Sequence, residues 1–326
     1  MIKELFDCVI IGGGPAGSFA AKLLSDRSFS TLIIEKRSDY TEKVCGGFVP
    51  YKAIQILSRN GFDRIHLSSA CGNKILVTDT NQSGRKERIA YPEGKYGIGV
   101  FRQVFDRYLS DMAIQSGTRI LFSQPVTLDM IRYCTEEDIF LITLSDLSVK
   151  AKHLIIATGA MGLLPRKLTG DQSRLLKKRT FGVSEIIRCN SSLPRDQLLF
   201  HCPSPYSRDY FWMIPLEGDS WNLGYWMERP DSSIKKSFYQ YRERFFEPFC
   251  KIGEKSVLYP LRGAFLGNVD LSPFYPEKAY VIGDAGGNNA QTTGEGIRFA
   301  FESALETVTS IINVESKKIG FCIATK

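Results

Sequence analysis

The hydrophobic pattern changes period several times along the chain, and each change marks an element. Cys8, Val9, Ile10 and Ile11 form an apolar run with no polar break, as in a strand buried on both faces. Pro15 presets φ for a first helical turn, and Ala16 to Leu24 reads as that helix. Thr31 to Ile34 is a second apolar strand, and Tyr51 to Asn60 a helix ended by Gly61. Phe62 to Tyr91 reads as strand-rich, with Asn81-Gln82-Ser83-Gly84 as a hairpin turn. After Arg102, apolar residues at Val104, Phe105, Tyr108, Leu109, Met112 and Ala113 repeat at helical spacing until Gly117. Thr118 to Phe122, Val126 to Cys134 and Phe140 to Leu144 read as strands of a sheet built by hairpins. Lys150 to Ala157 is a further strand. Thr180 to Glu228 is strand-rich and aromatic, and Ser233 to Phe246 is helical. Lys278 to Ile282 is a buried-type strand, and Gly294 to Ile312 the last helix.

Glycines supply the first chemistry. Gly12, Gly14 and Gly17 stand in G-x-G-x-x-G spacing between the first strand and the first helix. Gly12 allows a tight turn, Gly14 lets the backbone approach a pyrophosphate, and Gly17 lets the helix pack on the sheet. Pro15 and Ala16 open a helix whose free N–H groups and partial positive charge suit phosphates. The spacing alone is weak, but here strand, helix, second strand and acid are in register. The acid is Glu35, about 20 residues on, where a carboxylate accepts from a ribose, with Lys36 beside it. Far along the chain, Gly283-Asp284 follows a strand, and a glycine-rich turn leads through Gly294 and Gly296 to a helix at Ile297. Asp284 suits a ribose or ribitol hydroxyl, and the helix start favours negative charge.

A length of 326 residues with 43% hydrophobic and 24% charged residues fits a soluble globular chain of about two domains. The front and back units predict one discontinuous nucleotide domain, residues 1–61, 98–179 and 257–326. A second domain, residues 62–97 and 180–256, is inserted into it. The eight cysteines contain no C-x-x-C and no metal-ligand pairing with the three histidines, so free thiols and no metal are expected. Met1 is followed almost at once by a strand, with no signal peptide, and no apolar run approaches the roughly 20 residues of a membrane span. A cytoplasmic protein is expected. The formal charge of +7 reads as a solubilising surface, with peripheral contact at a membrane surface or an anionic substrate as the alternative. The basic residues are scattered apart from Arg174–Arg179, and no nucleic-acid motif accompanies them.

These segments resemble the FAD-dependent enzymes that include aromatic hydroxylases, flavin-dependent halogenases and geranylgeranyl reductases. Arg102-Gln-Val-Phe105-Asp106-Arg-Tyr-Leu109 is similar to their R-x-x-F-D-x-x-L helix, whose arginine lies against the flavin chain. Ala157-Thr158-Gly159 matches their strand-to-glycine crossing near the cofactor. Lys43-Val44-Cys45-Gly46-Gly47 resembles the K-x-C-G-G loop of the geranylgeranyl reductases, whose cysteine sits near the reactive face of the flavin. Tyr210-Phe-Trp212-Met-Ile214-Pro215 resembles their Y-x-W-x-F-P segment. Strand alternation puts Tyr210, Trp212 and Ile214 on one face, as a wall for an apolar or prenylated substrate or as plain core.

The resemblance implies a fold and an activity. The fold is an α/β, Rossmann-like FAD-binding domain of glutathione-reductase type, with parallel sheet and β-meander, carrying an inserted antiparallel-sheet α+β substrate domain. The activity is hydride transfer from reduced flavin to a carbon–carbon double bond, with Cys45, Tyr210 and Trp212 at the reacting centre. The electron donor is transient NAD(P)H or a redox partner, since no second G-x-G-x-x-G stands in strand–helix context. The alternative is hydroxylation or halogenation of an aromatic substrate, because the halogenase W-x-W-x-I-P signature differs only at Tyr210. A halogenase lysine would be Lys43 or Lys74. A third reading is a flavin-binding protein without turnover. Gln291 replaces a proline usual in the family, and the reductases continue beyond the last helix whereas this sequence stops at Lys326. A shorter substrate, a partner that completes the pocket, or a changed activity is then expected.

Overall fold

In the computed structural model, which describes residues 3–62, 74–79, 86–87, 95–160, 179–203, 207–267, 278–288 and 295–324, the first strand sits at the centre. β1 (Lys3–Ile11) pairs in parallel with β2 (Thr31–Ile34) on one side and β10 (Ser148–Ile156) on the other. β7 (Arg119–Leu121) extends the parallel sheet beyond β2. It is therefore not part of a hairpin sheet, as its sequence neighbours suggested. β10 serves two partners along one edge. Ser148 to Ala151 pair antiparallel with β9 (Ile139–Thr143), while Leu154 to Ile156 pair in parallel with β16 (Ala279–Val281). β8 (Ile131–Cys134) completes the meander on β9. The strand expected from Val126 begins only at Ile131, because Leu128–Met130 forms a 3₁₀ turn.

The unbroken apolar strands bury both faces. Cys8, Ile10, Ile33 and Ile155 pack under helices, whereas Val9, Ile11, Leu32, Ile34, Leu154 and Ile156 pack on the meander side with Phe140 and Ile142. α1 (Pro15–Ser25) lies against α3 (Arg102–Gln115) and α5 (Ile297–Ala324), with α2 (Tyr51–Arg59) also packed on α5. Phe19 packs between Phe62, on which it stacks at 5.4 Å, and Phe301, tilted at 4.7 Å between ring centroids. A Cβ on Gly17 would lie 2.0 Å from the Gly12 carbonyl oxygen, so only glycine permits this approach of helix to turn. α5 starts at Ile297 and runs past the expected end at Ile312. No proline or turn chemistry stands there to stop it.

The second sheet has the order β15-β11-β14-β13-β12-β4-β5. Its strands are β4 (Lys74–Asp79), β5 (Lys86–Glu87), β11 (Arg179–Ser191), β12 (Gln197–Cys202), β13 (Tyr210–Pro215), β14 (Ser220–Met227) and β15 (Cys250–Gly267). β4 and β5 pair antiparallel; the Asn81–Gly84 turn between them lies outside the described residues. One face is closed by α4 (Ile234–Phe245), whose Ile234 and Phe238 pack with Phe211, Met213, Leu223 and Tyr225. The opposite face carries Ile186, Leu198, Trp212, Ile214 and Trp226 against Phe48 and Phe101. The domain boundary expected at residue 257 falls inside β15, which stays paired with β11 up to Gly267. A small ribbon of β3 (Phe48–Val49) and β6 (Ile98–Gly99) lies at the junction. There a Cβ on Gly99 would meet the Pro215 carbonyl oxygen at 2.1 Å.

Candidate active site

The carboxyl ends of β1, β10 and β16 meet at one place, where open α/β sheets bind their ligands. The Ala157 N–H donates to the Ile11 carbonyl at 2.8 Å, and the Ile282 N–H to the Ile156 carbonyl at 3.0 Å. A Cβ on Gly283 would lie 3.0 Å from the Cβ of Ala16. The turn at 283 thus packs on the first turn of α1, from 267 residues away in sequence, and the Ser303 hydroxyl of α5 fixes it by accepting from the Gly283 N–H at 3.0 Å. Asp284 borders the start of α5, its carboxylate 3.1 Å from where a Cβ on Gly296 would stand. Gly294 and Gln291 lie outside the described residues.

Glu35 closes the other side. Its carboxylate is buried at the end of β2 and accepts from the Gly13 N–H at 2.8 Å and the Arg37 N–H at 3.0 Å. Lys36, next to it, is exposed. Burial, with the Glu35 charge, pushes the Tyr40 phenol up to about 12 against the opposing effect of Ser110 and Ser18, and its hydroxyl lies against Gly13.

Arg102, Asp106 and Lys43 form a buried charge cluster behind this cradle. Asp106 is fully buried and takes Arg102 Nε at 3.0 Å and Lys43 Nζ at 2.5 Å. Burial alone would raise the Asp106 carboxyl, but the charges of Arg102 and Lys43 carry it below the usual carboxylate range. Burial, aided by Arg102, holds the Lys43 ammonium below its ordinary value against the pull of Asp106. Phe101 offers no side-chain cap to α3. Glu42 does so from 60 residues away, accepting from the Arg102 N–H at 3.0 Å and the Gln103 N–H at 3.1 Å. Sequence reasoning missed Glu42, for which the absent cap at Phe101 was the only local signal, and held Asp106 only as part of the R-x-x-F-D-x-x-L helix.

The Cys45-Gly46-Gly47 loop lies between this cluster and the second sheet. The Cys45 sulfur lies beside the Arg102 guanidinium and accepts from the Gly47 N–H at 3.4 Å. The Cys45 carbonyl accepts from Asn222 Nδ2 at 2.7 Å. Tyr210, Trp212 and Ile214 share the face turned toward the loop, and a Cβ on Gly46 would meet Ile214 at 2.9 Å and Trp212 at 3.3 Å. Trp212 and Trp226 are buried, and Tyr210 stacks on Trp226 at 5.4 Å. Burial raises the Tyr210 phenol, with Cys45 and Cys202 nearby, so it keeps its proton at neutral pH. The structure therefore brings Cys45, Tyr210 and Trp212 together. Lys43 is committed to Asp106, and Lys74 opens β4.

A sequence profile described as pyridine nucleotide-disulphide oxidoreductase matches residues 6–193. The chain belongs to that family. A digeranylgeranylglycerophospholipid reductase from Methanococcus vannielii is 26% identical over 93% of this chain and 76% of its own length. An uncharacterized protein from Methanosarcina barkeri is 27% identical over 94% and 75%. Among solved structures, a geranylgeranyl bacteriochlorophyll reductase-like protein from Thermoplasma acidophilum superposes with a TM-score of 0.77 at 20% identity, covering 97% of this chain and 80% of that one. The flavin-dependent halogenase CmlS gives 0.74 at 22% identity, covering 96% and 59%.

The fold is an FAD-binding one, and the residues present fit the group. A Cβ on Gly14 would meet nothing nearer than Lys43 Nζ at 3.8 Å, so the glycine leaves open ground above the helix start with a cation at its rim. Thr158 Oγ1 is buried without a hydrogen-bond partner, a polar atom the protein leaves for a ligand. Gly159, at φ +73°, has nothing within 4 Å of its Cβ position. The α1 N-terminus with Lys43 suits the pyrophosphate, Glu35 the adenosine ribose, and Asp284 the ribitol side.

Proposed function

We propose that this protein is an FAD-dependent reductase of carbon–carbon double bonds in a prenylated lipid or a similarly apolar substrate. The observation that carries the reading is the Cys45 loop lying directly under the aromatic face of Tyr210, Trp212 and Trp226, beside the dinucleotide cradle. The relatives named digeranylgeranylglycerophospholipid reductase support it.

FAD in its reduced form supplies the hydride. The chain does the rest. The Trp212 face orients the alkene and excludes water. Cys45 gives a proton to the second alkene carbon and recovers one from solvent, with the Arg102 guanidinium beside the same sulfur. Tyr210 stays protonated and polar at the edge of an apolar wall. The electron donor is NAD(P)H bound transiently or a redox partner. Among the described residues no helix is long and apolar enough to cross a membrane, so a lipid substrate is met at the membrane surface or on a carrier.

The test is anaerobic. The protein is reduced under argon and mixed with a prenylated lipid, and flavin absorbance is followed. Reoxidation with loss of a double bond supports the reading. Reoxidation only on admitting air assigns oxygen chemistry instead, and none beyond background assigns flavin binding without turnover. Cys45→Ala is expected to keep FAD and lose turnover.

A further inference from the structure

The strands of the second domain reach the Cys45 loop through one side chain. Asn222, on β14, is fully buried among aromatic residues. Its Oδ1 accepts from the Trp212 indole N–H at 2.8 Å, and its Nδ2 donates to the Cys45 carbonyl at 2.7 Å. An indole nitrogen only donates and a backbone carbonyl only accepts, so the group between them must do both. A primary amide does so in one orientation. A carboxylate cannot donate, and a hydroxyl is too short to span the pair. The neighbouring glycines leave room for this link. A Cβ on Gly224 would fall 2.0 Å from the Trp212 ring, and one on Gly46 2.9 Å from Ile214.

From this geometry we propose that Asn222 is a positioning residue: it couples the substrate wall at Trp212 to the loop that holds Cys45, so that the sheet sets where the thiol stands. It touches neither the reacting atoms nor the cradle. The loop is anchored on both sides of the cysteine. Before it, Lys43 Nζ bonds Asp106, and after it Gly47 donates to the Cys45 sulfur and pairs through its carbonyl with the Val100 N–H at 2.8 Å, but none of these bonds holds the Cys45 carbonyl. A shift of the Trp212 indole on substrate entry is passed to Cys45 by two short hydrogen bonds in a site without water competition.

The inference rests on the reductase reading for its purpose, but its test does not need turnover. The FAD-loaded protein and Asn222→Leu, similar in size and unable to make either bond, are treated with iodoacetamide, and the labelling rate of each cysteine is read by peptide mass. Cys45 is expected to label about tenfold faster in the variant, the scale of one to two lost buried hydrogen bonds. Cys134, on the remote meander, is expected to label at the wild-type rate, and flavin content to stay unchanged. Where wild-type turnover is measurable, kcat falls with KM little changed. If Asn222→Leu does not fold, Trp212→Phe keeps a ring and removes the indole donor, and a smaller rise at Cys45 is expected. Wild-type labelling of Cys45 in whichever variant folds overturns the inference, and so does lost turnover with unchanged labelling. A wild-type protein that labels as expected yet reduces no alkene leaves the link standing and rejects the reductase reading.

Discussion

Asp106→Asn isolates what the buried charge cluster contributes. The substitution keeps shape and removes one negative charge from between two cations. Asp106 is fully buried, the Arg102 side chain is one-tenth exposed, and Lys43 about one-fifth. Removing one partner of a buried pair costs about 3–5 kcal/mol, because the remaining charge stays desolvated and unpaired. Lys43 reaches partial solvent and recovers some hydration, so the expected loss lies at the lower end, about 3 kcal/mol. For a chain of this size, with about 2 °C of Tm per kcal/mol, that is a fall of roughly 6 °C. The pH dependence follows from the direction of the shift. The folded carboxyl lies below its unfolded value of about 3.9, so its contribution is complete above that pH and is lost as pH falls through the folded value. Urea unfolding of both proteins at pH 7, and again toward pH 3.5, measures it. The difference should be full at neutrality and shrink on acidification. A variant within 1 kcal/mol of wild type at pH 7 would falsify the reading of this cluster as a buried, paired triad.

Two substitutions separate the cradle from the fold. Gly14 has an ordinary φ of −78° and an open Cβ direction, so Gly14→Ala should leave the unfolding free energy of the FAD-free protein within about 1 kcal/mol of wild type. It should weaken FAD at least about tenfold in a fluorescence titration, since the methyl stands where the pyrophosphate approaches. Thr158→Val removes a buried hydroxyl that has no partner without the cofactor. The FAD-free variant should be as stable as wild type or about 1 kcal/mol more so, while FAD binds more weakly in the same titration.

What could be read from the sequence is local. The unit from Phe6 to Glu35 is complete within 30 residues, and every physical demand on it is visible as a residue type: apolar run, glycines, proline, acid. The helix after Arg102 shows its period, and the single face of Tyr210, Trp212 and Ile214 follows from alternation. What stayed hidden depends on distant partners. β15 reads as polar and irregular because it is a sheet edge, with Lys251, Lys255 and Val257 exposed, and its strand character comes from backbone pairing with β11. β7 joins the parallel sheet because β2 lies beside it, which no pattern within Arg119 to Leu121 encodes. Glu42 as a remote cap and Asn222 as a bridge share one faint signal. Each is a polar side chain, or a missing one, where the local pattern calls for the opposite.

The two faces of the second sheet make different predictions for the chain's three tryptophans. Trp221 packs on the α4 side against Phe246, at 5.8 Å between ring centroids. Trp212 and Trp226 belong to the face turned toward the Cys45 loop. An apolar ligand that enters above the cofactor must exchange contacts on the second face and leave the first untouched, because α4 closes it with Phe238 fully buried. Trp212 is the sensitive probe, since its indole N–H is pinned to Asn222 while its ring borders Gly46 and Gly224. Titrating a prenylated lipid into the FAD-loaded protein should therefore change tryptophan emission in wild type and in Trp221→Phe alike. In Trp212→Phe most of the change should vanish. A response kept in full by Trp212→Phe, or lost in Trp221→Phe, would place the ligand on the α4 side and remove the aromatic wall from the mechanism.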